Sequence, residues 1–180
     1  MIKPLSLPKY FIIEPTNVCN YKCSICPNRL YSKEEQGYMD WALFVRLLSQ
    51  IKDCAQVIQL YWMGEPMLHP ELFEMIKMCK QITKAKVMLS TNGSLLDEPA
   101  TEKIIASGFD EIIISLDAAE NQEIYILIRN GGNLSTVNNN VNIFCSKTKA
   151  LTLSYNFLIC SSIEKNANYL KKNGRSIIKI

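Results

Sequence analysis

Long apolar runs, dense basic runs and internal repeats are all missing from this 180-residue chain. The N-terminal stretch M-I-K-P-L-S-L-P-K-Y-F-I-I-E-P holds two prolines before its short apolar run, which resembles neither a signal-peptide core nor a membrane span. The net charge of +3 comes from 20 basic and 17 acidic residues that are scattered rather than clustered as in a nucleic-acid interface. We therefore expect a cytoplasmic protein with no nucleic-acid partner and no membrane partner.

Linkers rich in Pro, Gly or Ser are also absent, so we expect a single domain over residues 1–180. With 48% hydrophobic residues the chain can bury a substantial core. The seven cysteines are an odd number, which argues against a secreted disulfide framework. Four of them stand alone in apolar segments, where a free cysteine usually acts as a small buried hydrophobe: Cys54, Cys79, Cys145 and Cys160.

Five short segments rich in β-branched or aromatic residues predict buried strands. They cover residues 10–14, 57–62, 86–90, 111–116 and 151–159. Apolar residues at helical spacing predict helices between them, after Asp40, after Pro70, between Asp97 and Gly108, and over residues 133–145. We expect the many asparagines of the last helix to face water. Alternating strands and helices predict an α/β fold with a parallel sheet.

Polar, glycine-containing stretches directly follow the first four predicted strands. They read T-N-V-C-N-Y-K-C, M-G-E-P, T-N-G and D-A-A-E-N. Active sites in parallel α/β folds lie at the carboxyl ends of the strands. The four stretches are therefore expected to meet at one rim of the sheet.

The segment C-N-Y-K-C-S-I-C places Cys19, Cys23 and Cys26 within eight positions. The surrounding residues 17–37 have no sustained period and predict a loop, which we call the cluster loop. Clustered thiols in a reducing compartment are oxidisable unless a metal binds them. A structural zinc site wants four ligands, and the chain adds only His69, which is expected to lie at the start of a helix. A 4Fe–4S cluster on three thiolates leaves one iron open; zinc, or three plain structural thiols, are the alternatives.

The cysteine segment resembles the cluster motif of the radical S-adenosylmethionine (radical SAM) enzymes. Further segments resemble that superfamily in order and spacing: E-P-T-N-V-C-N, C-P-N-R, G-Y-M-D, M-G-E-P-M-L, S-T-N-G, I-S-L-D and I-R-N-G-G-N-L. The chain is most similar to the SPASM-type branch, whose members modify peptides or proteins and often carry an extra cysteine-rich C-terminal domain. The resemblance implies a partial (β/α) barrel with five recognisable strand–helix units and a sixth that is missing or rudimentary.

In that family S-adenosylmethionine chelates the open iron of a 4Fe–4S cluster, which here implies a cluster on Cys19, Cys23 and Cys26. Reductive cleavage of the sulfonium then gives a 5′-deoxyadenosyl radical that abstracts hydrogen from substrate. The cofactors carry this chemistry, and the protein orients them. The resemblance thus implies an enzyme with an electron donor such as a flavodoxin or ferredoxin. Its substrate is unidentified, a peptide or protein being one candidate.

The resemblance also assigns side chains to the cofactor. In M-G-E-P, Gly64 allows a close backbone approach to a ligand, Glu65 supplies an anion for the ammonium group, and Pro66 stiffens the turn. Arg129 matches a position that can reach the cofactor's carboxylate. Four polar residues are expected to face its methionine and ribose portions: Ser90, Asn92, Ser115 and Asp117. Ordinary turns, a helix cap and a surface arginine are the alternatives for these positions.

The C-terminal part of the chain departs from the family pattern. After the fifth predicted strand only N-A-N-Y-L-K-K-N-G-R and S-I-I-K-I remain, and no cysteine follows Cys160 to bind an auxiliary cluster. We therefore expect a barrel that is truncated and open on one side, which a homodimer or a partner chain would close. The alternative function is a truncated, non-catalytic iron–sulfur or accessory module of the same fold.

Overall fold

The computed structural model describes residues 7–117, 121–148, 152–154 and 157–161. Its strands form one sheet in the order β1-β2-β3-β4-β6-β5, with β1 to β4 parallel. The strands are β1 (Tyr10–Ile12), β2 (Val57–Gln59), β3 (Lys86–Thr91), β4 (Glu111–Ser115), β5 (Thr152–Ser154) and β6 (Phe157–Ser161). This confirms the predicted α/β fold, and β1 to β4 match the first four predicted strands.

In the described ranges, five α-helices are interspersed with these strands: α1 (Trp41–Ile51), α2 (Leu72–Ile82), α3 (Glu98–Ser107), α4 (Gln122–Ile128) and α5 (Leu134–Thr148). The first and third begin where the sequence predicts. The Asp40 carboxylate accepts a hydrogen bond from the Leu43 amide at 3.1 Å, and Asp97 accepts from the Ala100 amide at 2.9 Å. Such caps satisfy amides that have no partner inside the helix. Helix α4 was not predicted.

The core lies between the sheet and its helices. Val87 and Leu89 of β3 and Ile112 and Ile114 of β4 have no exposed surface. They belong to one cluster with the buried faces of α1, α2, α3 and α5. Burying an aliphatic side chain of this size contributes about 1.5–3 kcal/mol, so this packing is what fixes the strand ends relative to one another.

The predicted fifth strand over residues 151–159 is wrong as a single parallel strand. Strand β6 pairs antiparallel with β4, and β5 pairs antiparallel with β6. Strand β5 therefore runs in the same direction as β4 but is separated from it by β6. Only two residues separate β5 from β6, and so short a connection permits only antiparallel pairing. In the described residues, four strands rather than five are therefore paired in parallel.

Helix α5 confirms one expectation and contradicts another. Leu134, Val137, Val141 and Phe144 are buried on one face, as predicted. Asn140, expected to face water, is 4% exposed. Its amide donates to the carbonyls of residues 93 and 94 at 2.9 and 3.0 Å, so it ties α5 to the loop that follows β3.

The sequence also predicts a remnant strand near the C-terminus and no membrane span. The predicted remnant of a sixth strand, residues 177–180, lies outside the described residues. Within the part of the chain that the structure describes, no helix has both the length and the apolarity needed to cross a membrane.

Candidate functional site

A cleft of about 290 Å³ lies at the carboxyl ends of β2, β3 and β4. The cluster loop forms one wall, with Cys19, Cys23 and Cys26 all facing the cleft. Residues at the ends of the strands or directly after them form much of the rest of the lining, among them Trp62, Met63, Gly64, Glu65, Ser90, Thr91, Asn92 and Ser115. The predicted meeting at one rim is confirmed for the first three polar stretches; of the fourth, D-A-A-E-N, Asp117 is not in the lining and residues 118–120 lie outside the described residues.

The three thiols are free, with Cys23 buried and the other two partly exposed. Burial raises the pKa of Cys19 to about 11, and the neighbouring Glu65 and cysteines add to the rise. Burial also raises the pKa of Cys23, although the Arg129 guanidinium opposes this shift. Because metals bind thiolates, loading this site would release protons.

The donor set fits an iron–sulfur cluster. Cysteine sulfur is the usual ligand of such clusters, and each thiolate binds its own iron, so the sulfurs need not converge on one point. Within the described residues, no three His, Cys, Asp or Glu side chains are grouped to hold a single ion. His69 is buried and engaged: its Nδ1 accepts from the Glu71 amide at 3.1 Å, and its Nε2 lies 3.0 Å from the Met39 carbonyl. It holds the start of α2, as predicted.

Gly64, expected to allow a close backbone approach to a ligand, lines the cleft and also packs against the chain's own backbone. A Cβ atom at this position would clash with the carbonyl of Thr16 and lie 2.8 Å from the carbonyl carbon of Asn17. The next residue, Glu65, donates its amide hydrogen to the Val18 carbonyl at 2.8 Å. The glycine therefore lets the β2 end and the start of the cluster loop pack together.

Glu14 is a site residue to which sequence reasoning assigned no role. Its carboxylate accepts hydrogen bonds from the amides of Met63 and Gly64 at 2.7 and 3.2 Å. It joins the segment after β1 to the loop after β2. The available signal was its place in E-P-T-N-V-C-N, directly between the first predicted strand and the cysteines.

Glu65 is almost completely buried and already has three donors. It accepts from the Thr91 hydroxyl at 2.7 Å, the Asn92 amide at 2.8 Å and the Met67 amide at 3.1 Å. Burial raises the pKa of this carboxyl, and these hydrogen bonds oppose the shift. An ionised carboxylate has about four acceptor sites, so it retains capacity toward the cleft. Pro66 is buried and begins a short 3-10 turn behind it.

Asn92, expected to face the cofactor, uses its side chain within the protein. Its Nδ2 donates to Asn20 Oδ1 at 2.9 Å, and its Oδ1 accepts from the Ser94 amide and hydroxyl. This ties the cluster loop to the end of β3. Ser90 and Ser115 differ from it, because neither hydroxyl has a hydrogen-bond partner among the described residues, and both line the cleft.

Asp117 and Arg129, expected to contact different parts of the cofactor, contact each other. The Arg129 Nε donates to Asp117 Oδ2 at 2.6 Å, and Nη2 forms an ion pair with the same oxygen. Nη1 lies 3.9 Å from Cys23 Sγ. Arg129 lines the cleft, whereas Asp117 lies outside its lining.

The I-R-N-G-G-N segment, residues 128–133, packs against the cluster loop. The amides of Lys22 and Ser24 donate to the carbonyls of residues 130 and 128 at 2.8 and 2.9 Å. A Cβ at Gly132 would lie 2.7 Å from the Tyr125 ring and 3.0 Å from the Tyr21 ring, both of which are buried. The glycine therefore makes room for the two rings that support the cysteines.

The sequence profile of the Radical SAM superfamily matches residues 13–158. The chain belongs to the radical SAM superfamily. This confirms the predicted family and, with it, a family of enzymes that use a 4Fe–4S cluster and S-adenosylmethionine. The matched residues begin directly after β1, extend into β6 and include every residue that lines the cleft.

Two curated relatives have similar identity to this radical SAM chain. A tungsten-containing aldehyde ferredoxin oxidoreductase cofactor-modifying protein of Pyrococcus furiosus is 31% identical over 111 residues, or 61% of this chain and 31% of the relative. An S-adenosyl-L-methionine-dependent 2-deoxy-scyllo-inosamine dehydrogenase of Niallia circulans is 31% identical over 109 residues, 59% of this chain and 44% of the relative. The chain thus spans less than half the length of either relative.

Solved radical SAM structures share the fold. The crystal structure of BtrN in complex with AdoMet and 2-DOIA superposes with a TM-score of 0.58 at 29% identity, covering 63% of this chain and 47% of that one. Native anSMEcpe with bound AdoMet superposes with a TM-score of 0.62 at 25% identity, covering 77% and 41%. These neighbours confirm the partial barrel.

Proposed function

We propose that the cluster loop, residues 17–37, holds a 4Fe–4S cluster through Cys19, Cys23 and Cys26, and that the adjoining cleft binds S-adenosylmethionine. The observation that carries this proposal is the presence of three free thiols on one wall of a cleft of about 290 Å³. Three thiolates leave one coordination position for an outside ligand. Residues 1–180 would then form one radical SAM core domain.

The chain's own residues would bind and orient the cofactor. Glu65 has acceptor capacity left for the ammonium group, and a charge-assisted hydrogen bond of this kind is strong in a buried site. The hydroxyls of Ser90 and Ser115, which have no hydrogen-bond partner among the described residues, suit the polar methionine and ribose portions. Ile25 and Trp62 line the cleft mouth with exposed apolar surface that would cover the bound molecule and exclude water.

When bound, these cofactors supply reductive cleavage of the sulfonium to a 5′-deoxyadenosyl radical that abstracts hydrogen from substrate. We infer a peptide or protein substrate, which is supported by the 31% identity over 111 residues to a PqqA peptide cyclase of Gluconobacter oxydans. The electron donor would be a flavodoxin or a ferredoxin. We infer a cytoplasmic location, which fits the free thiols of Cys19, Cys23 and Cys26.

A second candidate is a non-catalytic iron–sulfur or accessory module. The observation favouring it is that β6 pairs antiparallel with β4, so the described residues contain no fifth strand paired in parallel. Such a module would keep the cluster and its loop without catalysing a reaction.

Anaerobic reconstitution with iron and sulfide, followed by reduction in the presence of S-adenosylmethionine, separates these functions. Formation of 5′-deoxyadenosine is the expected result and supports the enzyme. An intact, reducible cluster that gives no 5′-deoxyadenosine supports the module. Bound zinc without iron after anaerobic purification would contradict both and support a structural zinc domain.

A further inference from the structure

The Arg129 guanidinium links the cluster loop to the end of β4. One nitrogen, Nη1, lies 3.9 Å from Cys23 Sγ, while Nε and Nη2 bind a single carboxylate oxygen of Asp117. The Arg129 and Asp117 side chains are 15% and 16% exposed, and Cys23 is 8% exposed. The contact between guanidinium and sulfur is therefore largely shielded from water.

A cation beside a ligand sulfur acts on the redox equilibrium of the cluster. Reduction adds one electron, supplied by a one-electron donor such as dithionite or a reduced flavodoxin, and makes the cluster one charge more negative. A nearby guanidinium favours the more negative state, and the effect is strongest where water is excluded. Hydrogen bonds to the sulfurs and solvent exposure are known determinants of iron–sulfur potentials.

We propose that Arg129 raises the reduction potential of the cluster through its contact with Cys23. This inference rests on the proposed function, because it requires the cluster on the three cysteines. It assigns Arg129 a role that is present before any S-adenosylmethionine binds. Asp117 holds the guanidinium in place through Nε and Nη2, which share one carboxylate oxygen.

The test is the midpoint potential of the reconstituted full chain without S-adenosylmethionine, from an EPR-monitored redox titration. Arg129→Gln removes the charge and is expected to make the midpoint potential more negative. Arg129→Lys keeps the charge but loses the fork, and a smaller shift in the same direction is expected. Arg29→Gln is the matched control, because Arg29 is an exposed arginine in the same loop and its loss should leave the potential within error of the unmodified chain.

Each outcome distinguishes the inference from the proposed function. A cluster whose midpoint potential is unchanged in Arg129→Gln, or shifts equally in Arg29→Gln, would overturn the inference and leave the proposed function standing. If Arg129→Gln assembles no cluster, Arg129→Met, which keeps an unbranched side chain without the charge, decides, and an unchanged midpoint potential there overturns the inference. An unmodified chain that takes up no cluster would overturn the proposed function and the inference with it.

Discussion

Residues that line the cleft divide into those that hold the protein together and those that are free to bind. Glu65 and Asn92 accept or donate several hydrogen bonds within the protein. The cysteine thiols and the hydroxyls of Ser90 and Ser115 face the same cleft and have few competing contacts. Glu65 both holds neighbouring segments together through its hydrogen bonds and keeps acceptor capacity toward the cleft. It is therefore the most informative residue to change.

Glu65→Gln is expected to weaken S-adenosylmethionine binding while leaving the cluster in place. Loss of a charge-assisted hydrogen bond costs about 1.5–3 kcal/mol, or about one to two decades in Kd. The amide nitrogen of glutamine would also face a donor, either the Thr91 hydroxyl or the Asn92 amide, so the urea midpoint should fall. The measurements are titration of the reduced cluster's EPR signal and urea unfolding.

Glu34→Gln provides the matched control for Glu65, because Glu34 is an exposed glutamate of the cluster loop. It should alter neither the Kd nor the urea midpoint. An unchanged Kd in Glu65→Gln would contradict the role of Glu65 in cofactor binding.

Some helix starts could be predicted from the sequence, whereas contacts between distant segments could not. Asp40 and Asp97 mark the starts of α1 and α3 because a capping carboxylate acts on amides only a few residues away. The contact of Glu14 with the loop after β2 joins residues about 50 apart in sequence, and no local pattern encodes it. The same holds for buried Asn140. The apolar run 151–159 predicted one strand because periodicity does not reveal a reversal of direction.

Gly64→Ala is expected to disrupt the packing between the loop after β2 and the cluster loop. Its Cβ would clash with the Thr16 carbonyl, and backbone cannot move aside as the end of a flexible side chain can. Overpacking of this kind typically costs about 1–3 kcal/mol, so the urea midpoint and the iron content after reconstitution should both fall.

Gly37→Ala lies in the same cluster loop and would meet no atom within 4 Å. This variant should retain the iron content and the urea-unfolding midpoint of the unmodified chain. Equal behaviour of the two alanine variants would show that the Gly64 packing does not support the loop.

Asn140→Ala is expected to destabilise the protein, since it removes the donor from the carbonyls of residues 93 and 94. Leaving buried polar groups unsatisfied costs about 1–3 kcal/mol. Chemical unfolding gives the value, with Asn139→Ala, on the exposed side of the same helix, as the control. Alanine raises helix propensity at both positions, so a free energy of unfolding that is no lower in Asn140→Ala than in Asn139→Ala would contradict this role of Asn140.

At the scale of the whole molecule, the sheet formed by the described residues has two edge strands, β1 and β5. Among the described residues no strand pairs with the outer side of β1, and its Tyr10 and Ile12 side chains are 72% and 52% exposed. Unpaired strand edges promote association between chains. This supports the prediction that the chain forms a homodimer or needs a partner chain to close the barrel.

Sedimentation velocity over a wide concentration range tests that prediction. The unmodified chain should self-associate, and Ile12→Lys should weaken association by placing a charge on the β1 edge. Leu127→Lys makes the same chemical change at a residue of α4 that is 73% exposed, and it should leave association unaltered. A monomer at all concentrations, or equal weakening by both variants, would contradict association through β1.

The central claim is that the three thiols of the cluster loop hold a 4Fe–4S cluster. The most direct measurement is the iron and sulfide content, with the EPR spectrum of the reduced state, of reconstituted single-alanine variants. We predict about four irons per unmodified chain, as the cluster type requires, and loss of a stable cluster when Cys19, Cys23 or Cys26 is replaced. Cys54→Ala should keep the full content and spectrum. A chain that lacks all three loop thiols yet still takes up a full complement of iron and sulfide would contradict the account.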